Sequence, residues 1–246
     1  MEKEVTLFIT SCGRPELLKR TLESFVRYNT YPIKEVILCE DSGIPHIVDF
    51  AKDILPYPII FCYNDVRIGQ MKTIEKYSKL IKTPYVFHLE DDYEFFDSGF
   101  IELSFNILDS DPKISQVLLE DEQHSFYKVD IGNPLCYKLM TNEPHEITAN
   151  NGDGPLNVFS WRPSLKKIEI QKLRIPYEHW DDEYTIELLV NKLGYYSVVT
   201  NNIKDGRPGF CTHIGKNYHV PENFQRIKIL GRHDFPDKRN IRLKDI

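Results

Sequence analysis

The chain has 246 residues, of which 41% are hydrophobic and 28% are charged, and its formal net charge is -6. This length allows one large α/β domain or two small ones, and the composition is that of an ordinary globular protein. A negative net charge gives no general attraction to nucleic acid or to anionic membranes, so we expect no nucleic-acid partner.

No apolar run reaches the length needed to span a bilayer, and the first ten residues, MEKEVTLFIT, lack the long apolar core of a signal peptide. The five cysteines are scattered and form no CxxC pair, which argues against a zinc site built from thiolates. An odd number of thiols, two of them within apolar runs, is typical of a reduced compartment. We therefore expect a cytoplasmic protein.

In the first third of the chain, predicted strands alternate with predicted helices. Short apolar runs predict the strands, and apolar side chains that recur every three or four residues predict the helices. This alternation indicates a parallel sheet with right-handed crossovers, in which the carboxyl ends of the strands share one edge. The predicted elements are strands 5–10, 35–40, 57–63 and 85–89 and helices 15–28, 47–55 and 70–81.

The rest of the chain is less regular. Residues 121–156 show no periodicity and are rich in Asn, Asp, Gly and Pro, which is typical of a lid or a substrate-binding loop. The predicted elements on either side are a helix at 99–108, strands at 114–119 and 157–161, a helix at 162–171, a helix that starts at 180–183 and is capped by Gly194, and a strand at 195–199.

Polar side chains follow each of the four predicted parallel strands. The fourth strand ends in three consecutive carboxylates, Glu90, Asp91 and Asp92. Carboxylate oxygens suit Mg2+ and Mn2+, and ligands of open α/β sheets bind at this edge. The pattern therefore predicts a metal site that holds a phosphorylated ligand, with a solvated acidic turn as the alternative. The other strand exits carry candidate ligand contacts at Thr10, Ser11 and Arg14, then at Asp41, then at Asn64 and Arg67.

Several segments resemble one known family, in the same order along the chain: TLFITSCGRPELLKRTLESF, EDSG, N-x-x-R-x-G, FHLEDDYEF, FSWRPSLKK and HIG. Together they are similar to the family 2 inverting glycosyltransferases of the glycosyltransferase-A fold, and most similar to members whose metal motif reads EDD. The resemblance covers most of residues 4–215. It implies an α/β fold with a Rossmann-like, mostly parallel sheet flanked by helices and an irregular half on the acceptor side.

The resemblance also implies a nucleotide-sugar donor, with a UDP-sugar as the first candidate, and Mn2+ or Mg2+ as cofactor. Asp41 matches the position that contacts the nucleoside, and Asp92 matches the direct metal ligand. Glu90 and Asp91 match the rest of the metal and ribose motif, where Glu90 replaces the usual aspartate. His213 is a candidate metal ligand or diphosphate contact, with a structural histidine as the alternative.

One element of the family is missing. Many members carry Ala-Arg-Asn on the helix before the metal motif, whereas this chain reads KTIEK there. Lys72 and Arg67 are therefore candidates for the phosphate contact. Arg14 is a candidate nucleotide contact as well, or a residue that stabilises the helix start.

Displacement at a sugar carbon needs a base within hydrogen-bond reach of the acceptor hydroxyl. The family places this carboxylate at the start of a helix in the second half, where this chain reads WDDE. Asp182 is the first candidate and Asp181 the second. The alternative is that these acids only interact favourably with the helix macrodipole. Asn157 and Arg162 are candidates for lining the acceptor site.

The chain is therefore predicted to be a single-domain, metal-dependent hexosyltransferase that acts on a hydroxyl of a glycan, glycolipid or glycoprotein. Its predicted parts are a donor half (1–95), an acceptor half (96–215) and a basic tail (216–246) that is either a solvated surface or a peripheral membrane contact. A sugar-phosphate nucleotidyltransferase is the alternative enzyme, but it requires a glycine-rich loop, and SCGRPE contains one glycine. A catalytically inactive module that binds nucleotide-sugars is the second alternative.

Overall fold

A computed structural model describes residues 3–120, 126–141, 157–173 and 183–215. Its helices are α1 (Pro15–Tyr28), α2 (Gln70–Ser78), α3 (Phe100–Ser110), α4 (Ile168–Gln171) and α5 (Glu183–Lys192), with a 3-10 helix at Asp49–Asp53. Its strands are β1 (Val5–Ser11), β2 (Glu35–Glu40), β3 (Ile59–Tyr63), β4 (Tyr85–Glu90), β5 (Tyr93–Phe95), β6 (Ile114–Leu118), β7 (Phe126–Val129), β8 (Cys136–Thr141), β9 (Ser164–Lys167), β10 (Tyr196–Thr200), β11 (Ile203–Lys204), β12 (Arg207–Pro208) and β13 (Cys211–His213).

Nine strands form one sheet in the order β3-β2-β1-β4-β9-β6-β10-β8-β7. The first four strands of the chain are parallel, as the alternation of strands and helices predicts. β9 runs antiparallel between β4 and β6, and β6 is parallel to β10. β8 and β7 complete the sheet as antiparallel strands. The carboxyl ends of β1 to β4 and of β6 therefore lie on the same edge as the start of β9.

Both faces of the central strands β1, β2, β4 and β6 are buried, as expected where helices cover a parallel sheet on two sides. Successive side chains of β1 alternate between the faces. Leu7 and Ile9 pack in a cluster with side chains of α1 and α3, whereas Phe8 packs in a second cluster with side chains of α2, α4 and α5. The ring of Phe25 on α1 lies 5.7 Å from that of Phe87 on β4, which fixes α1 against the central strand.

The turn after β4 is held by two hydroxyl groups of α1. The Thr21 hydroxyl donates to the main-chain oxygen of Asp91 over 3.0 Å and accepts from the Tyr93 N–H over 3.1 Å. The Ser24 hydroxyl accepts from the Phe95 N–H over 3.0 Å. Since both hydroxyls lie on the buried side of α1, they satisfy backbone groups of the turn and of β5 away from water. The acidic turn is therefore fixed to α1.

The predicted helix over residues 162–171 is wrong in its first half. Residues 164–167 form β9 in the middle of the sheet, and only residues 168–171 are helical. Pairing with strands on both sides outweighs the weak helical spacing of this segment. Lys166 of β9 is fully buried, and its ammonium lies 4.7 Å from the centre of the Trp161 ring, close enough for a cation-π contact.

Three further predictions are corrected. The helix predicted at 47–55 is a short 3-10 helix, and the strand predicted at 157–161 is reduced to one bridge between Asn157 and Met140. The described part of the segment 121–156, predicted to be irregular, contains β7 and β8. Among the helices that the structure describes, none has the length and apolar character of a membrane span.

Candidate active site

The acids after β4 lie beside the exits of β1 and β2. Thr10 at the end of β1 is in register with Glu90, and Ser11 is in register with Glu40 at the end of β2. The Asn64 N–H, which follows β3, donates to the main-chain oxygen of Glu40 over 3.0 Å. The structure thus brings together the strand exits that the sequence places at one edge.

Asp91 points into the protein and is surrounded by donors. Its Oδ2 accepts from the Ser11 hydroxyl and from the Cys12 N–H, each over 3.2 Å, and its carboxylate is paired with the Arg14 guanidinium. Burial and the neighbouring charge of Asp92 raise the pKa of Asp91 to about 6, although Arg14 opposes this rise. Asp91 therefore links the β1 exit to the β4 exit and leaves the outer position of the turn to Asp92.

Asp92 is the acid that faces the other charged groups of the edge. Its Oδ2 accepts from Arg14 Nη1 over 2.7 Å and from His213 Nε2 over 3.1 Å. Burial acts to raise its pKa, but the hydrogen bond from His213 and the charge of Arg14 outweigh burial and lower it. Asp92 therefore carries its negative charge at neutral pH.

Strand β13 places His213 beside Asp92. β13 pairs antiparallel with β5, so that His213 is in register with Tyr93, and the two rings lie 5.1 Å apart. The Ile214 N–H donates to the main-chain oxygen of Asp92 over 2.8 Å. Because β13 pairs with β5, and β5 begins directly after Asp92, the two side chains meet although 121 positions separate them in sequence.

The chemistry of these two side chains fits a divalent metal whose remaining coordination positions are filled by a phosphorylated ligand. An aspartate oxygen and an imidazole nitrogen are ligands that Mn2+ accepts. Within the described ranges there is no group of three His, Cys, Asp or Glu side chains that could hold a metal ion. Mg2+ and Mn2+ in phosphate-binding sites commonly take few protein ligands and complete their coordination with phosphate oxygens and water. Asp92 and His213 would hold such an ion.

At the exit of β2, Asp41 holds the loop after β3. Its Oδ1 accepts from Asn64 Nδ2 and from the Ile68 N–H, each over 2.8 Å, and its Oδ2 accepts from the Gly69 N–H over 2.7 Å. A carboxylate has about four acceptor positions, so Oδ2 retains capacity for one more donor. Asp41 thus joins the exits of β2 and β3, and its contact with the nucleoside stays a prediction.

The two candidate phosphate contacts differ in position. Burial raises the pKa of the Cys12 thiol to about 12, and the charge of Arg67 opposes this rise, which places Arg67 near the β1 exit. Lys72 lies on the first turn of α2 with an exposed side chain. Arg67 is therefore the better placed of the two, and both roles stay predictions.

A sequence profile of glycosyl transferase family 2 matches residues 6–159, which is more than half of the chain. The chain belongs to glycosyl transferase family 2. The match runs from the second residue of β1 past β8 and includes the acidic turn, and the predicted class of enzyme is that of the family. No curated protein matches the chain in sequence.

Solved structures share the fold of this family 2 member. The mannosyltransferase PcManGT from Pyrobaculum calidifontis, in complex with GDP-Man and Mn2+, has a TM-score of 0.58 at 14% identity over 89% of this chain and 59% of its own. TarS 1–349 of S. aureus, in complex with UDP-GlcNAc, has a TM-score of 0.55 at 11% identity over 91% of this chain and 63% of its own. The chain thus spans about 60% of their length. The predicted glycosyltransferase-A fold is confirmed.

Two buried glutamates of this glycosyltransferase domain escaped the sequence analysis. Glu40 is fully buried, and its Oε1 accepts from the Gly13 N–H over 2.9 Å and from the Ser42 N–H over 2.8 Å, so it joins the loops that follow β1 and β2. Glu120 follows β6 and forms an ion pair with Arg162 over 3.2 Å. Each of the two stands at the end of an apolar strand, the same sequence pattern that points to Asp41 and to the 90–92 turn.

The other candidates divide between structural contacts and positions outside the described residues. Asn157 is bonded to α5, because its N–H donates to Asn191 Oδ1 over 2.8 Å, and its role at the acceptor site stays a prediction. Both candidate bases, Asp181 and Asp182, lie outside the residues that the structure describes, as does the basic tail at 216–246. The described part of the helix predicted to start at 180–183 is α5, over Glu183–Lys192.

Proposed function

We propose that this family 2 member is a metal-dependent inverting glycosyltransferase. It transfers a hexosyl unit from a nucleotide-sugar, with a UDP-sugar as the first candidate, to a hydroxyl of a glycan, glycolipid or glycoprotein. The observation that carries the proposal is the pair formed by Asp92 and His213 beside Arg14, at the carboxyl edge of the sheet.

The charges of this edge match a nucleoside diphosphate group. Arg14 has a partly exposed guanidinium, with 19% of its side chain accessible, and a guanidinium can donate to two phosphate oxygens together. Asp92 and His213 would hold Mn2+ or Mg2+, which when bound neutralises charge that develops on the departing diphosphate. In this proposal Asp41 accepts a hydrogen bond from the base of the nucleoside, for which its Oδ2 has capacity. PcManGT binds GDP-Man and Mn2+, and TarS binds UDP-GlcNAc, which supports a nucleotide-sugar donor and a divalent metal for this chain.

The acceptor hydroxyl attacks the anomeric carbon from the face opposite the diphosphate, so the carbon–oxygen bond to the phosphate breaks as the new glycosidic bond forms. A carboxylate on the acceptor side takes the hydroxyl proton. Asp182 is our first candidate for this base and Asp181 the second. In this proposal residues 1–95 bind the donor, residues 96–215 bind the acceptor, and the basic tail (216–246) is a surface whose contact with an anionic membrane stays a prediction.

A donor screen tests the proposal. Nucleotide release is followed from UDP-, GDP-, CMP- and dTDP-sugars with Mn2+, with Mg2+ and with EDTA. We expect release from one donor, abolished by EDTA and restored by Mn2+. Binding of a donor without any release, in the presence of a broad mixture of acceptors, would instead favour an inactive binding module. The absence of binding to every nucleotide-sugar, with and without metal, would contradict the proposal.

The choice of base is tested by Asp182→Asn and Asp181→Asn, which keep the size of the side chain and remove its basicity. For Asp182→Asn we expect transfer to fall by about a hundredfold, because a general base contributes that much or more, while the affinity for the donor is unchanged. Asp181→Asn is the matched control and should retain most of the transfer rate. The reverse ranking of the two variants would make Asp181 the base.

A further inference from the structure

Three charged side chains form a row across neighbouring strands on the acceptor side of the acidic turn. Glu90 lies two residues beyond His88, Arg162 two residues before Ser164, and Glu120 two residues beyond Leu118. Ser164 is in register with both His88 and Leu118. The three side chains therefore lie level with one another at the carboxyl edge. Glu90 is the last residue of β4, Arg162 precedes the start of β9, and Glu120 follows the end of β6.

Contacts tie this row to the metal-binding turn. Arg162 Nη1 lies 3.2 Å from Glu120 Oε2, and the Tyr93 hydroxyl donates to the same oxygen over 3.4 Å. Tyr93 follows Asp92 directly in the chain. Its side chain therefore connects Glu120 of this row to the residue next to the acid that would hold the metal.

The two members of the ion pair differ in their access to solvent. The side chain of Glu120 is 2% exposed, whereas that of Arg162 is 31% exposed. The Arg162 guanidinium also lies 5.8 Å from the centre of the Phe126 ring. In the described part of the chain, Arg162 Nη1 lies against the buried glutamate, and the guanidinium carries further N–H donors on its partly exposed side beside the aromatic ring. Sugars are recognised by such combinations, because their hydroxyls accept hydrogen bonds and their C–H faces pack on rings.

The charge of the row discriminates between acceptor classes. Among these three side chains two are carboxylates and one is a guanidinium, and the guanidinium is already paired with Glu120. A carboxylate or phosphate on the acceptor would approach a net negative row and would be repelled. A neutral sugar has hydroxyls that accept from Arg162 and donate to Glu90, with no such penalty.

We propose that Arg162, oriented by Glu120 and flanked by Phe126, is the acceptor subsite of this enzyme and that it binds an uncharged sugar. Arg162 contacts the acceptor, and Glu120 is a positioning residue that acts through Arg162. The inference rests on the proposed function, because it assigns the acceptor of that same transfer.

The test measures donor hydrolysis, in which water is the acceptor, and the additional nucleotide release caused by p-nitrophenyl hexosides or by the corresponding hexuronides. In the wild type we expect hexosides to accelerate release and hexuronides to leave it unchanged. Arg162→Ala should raise the KM for the hexoside by tenfold or more, the loss expected for about one charge-assisted hydrogen bond, with hydrolysis and donor KM unchanged. Arg207→Ala is the matched control, since Arg207 also lies over a phenylalanine ring, Phe96, at 4.1 Å, and should keep the wild-type KM.

Glu120→Gln separates positioning from a merely structural role. It keeps the shape of the side chain and removes its charge, so the Arg162 charge is no longer balanced. We expect the preference to shift toward hexuronides, which a simple loss of stability would not produce. Acceleration of the wild type by hexuronides only, acceleration by no hexoside, or an unchanged hexoside KM in Arg162→Ala would overturn the inference. A wild type that binds no nucleotide-sugar would instead refute the proposed function.

Discussion

Asp92→Asn is expected to reduce metal-dependent nucleotide release by about a thousandfold, which corresponds to about 4 kcal/mol of transition-state stabilisation. The substitution keeps the volume of the side chain, so the packing against β13 is retained. It replaces a charged oxygen, which accepts from both Arg14 and His213, with a neutral amide. Both the affinity for Mn2+ and the donor affinity in its presence should fall, as measured by Mn2+ titration followed by electron paramagnetic resonance and by calorimetry with the donor.

Asp109→Asn is the control for this prediction. Asp109 forms an ion pair with Lys3 and has a side chain that is 59% exposed, so its loss removes a charge from the surface without touching the sheet edge. We expect wild-type metal affinity and activity from this variant. An Asp92→Asn protein that releases nucleotide at the wild-type rate, with the same dependence on Mn2+, would show that Asp92 is not a metal ligand.

The sequence predicts the first half of the fold well because local and tertiary signals agree there. β1, α1, β2 and β4 have apolar side chains at spacings that also match their final burial. The error at β9 has the opposite cause. Residues 164–167, SLKK, carry two lysines, yet this short strand lies between β4 and β6, where Lys166 is buried against Trp161. A central strand with a buried lysine is stabilised by partners that are remote in sequence, and periodicity does not detect them.

The residues of the candidate site also differ in whether local sequence pattern reveals them. Asp41 and the acidic turn were found because each follows a strand directly, and the order of parallel strands then fixes their common edge. Arg162 and Glu120 form an ion pair only because antiparallel β9 is inserted beside β6, so the wrong prediction for residues 162–171 hid their relation. Gly215 lies so close to Asp92 that a Cβ atom on residue 215 would clash with the Asp92 side chain, and this approach of two distant segments has no signature in sequence beyond the glycine itself.

Gly215→Ala is expected to disable the site although it changes no charged or polar group. A Cβ atom on residue 215 would lie 2.8 Å from Cγ and 2.9 Å from Cβ of Asp92, distances shorter than carbon atoms tolerate. Rotation of the Asp92 side chain cannot relieve the contact with its own Cβ, so either the turn or the segment after β13 must move. We expect a destabilisation of about 1–3 kcal/mol from this overpacking.

The same displacement should lower activity by a hundredfold or more, because a shift of about 1 Å in a catalytic group is enough for such a loss. Mn2+ affinity should fall with it, and this separates displacement of Asp92 from a general loss of stability. Gly132→Ala is the control: its positive φ of 76° makes alanine unfavourable there, but no atom lies within 4 Å of the new Cβ, so stability alone should respond. Wild-type Mn2+ affinity in Gly215→Ala would contradict this prediction, because it would show that the position of Asp92 does not depend on the segment after β13. His213 would then have to reach the metal independently of the close packing between residues 92 and 215.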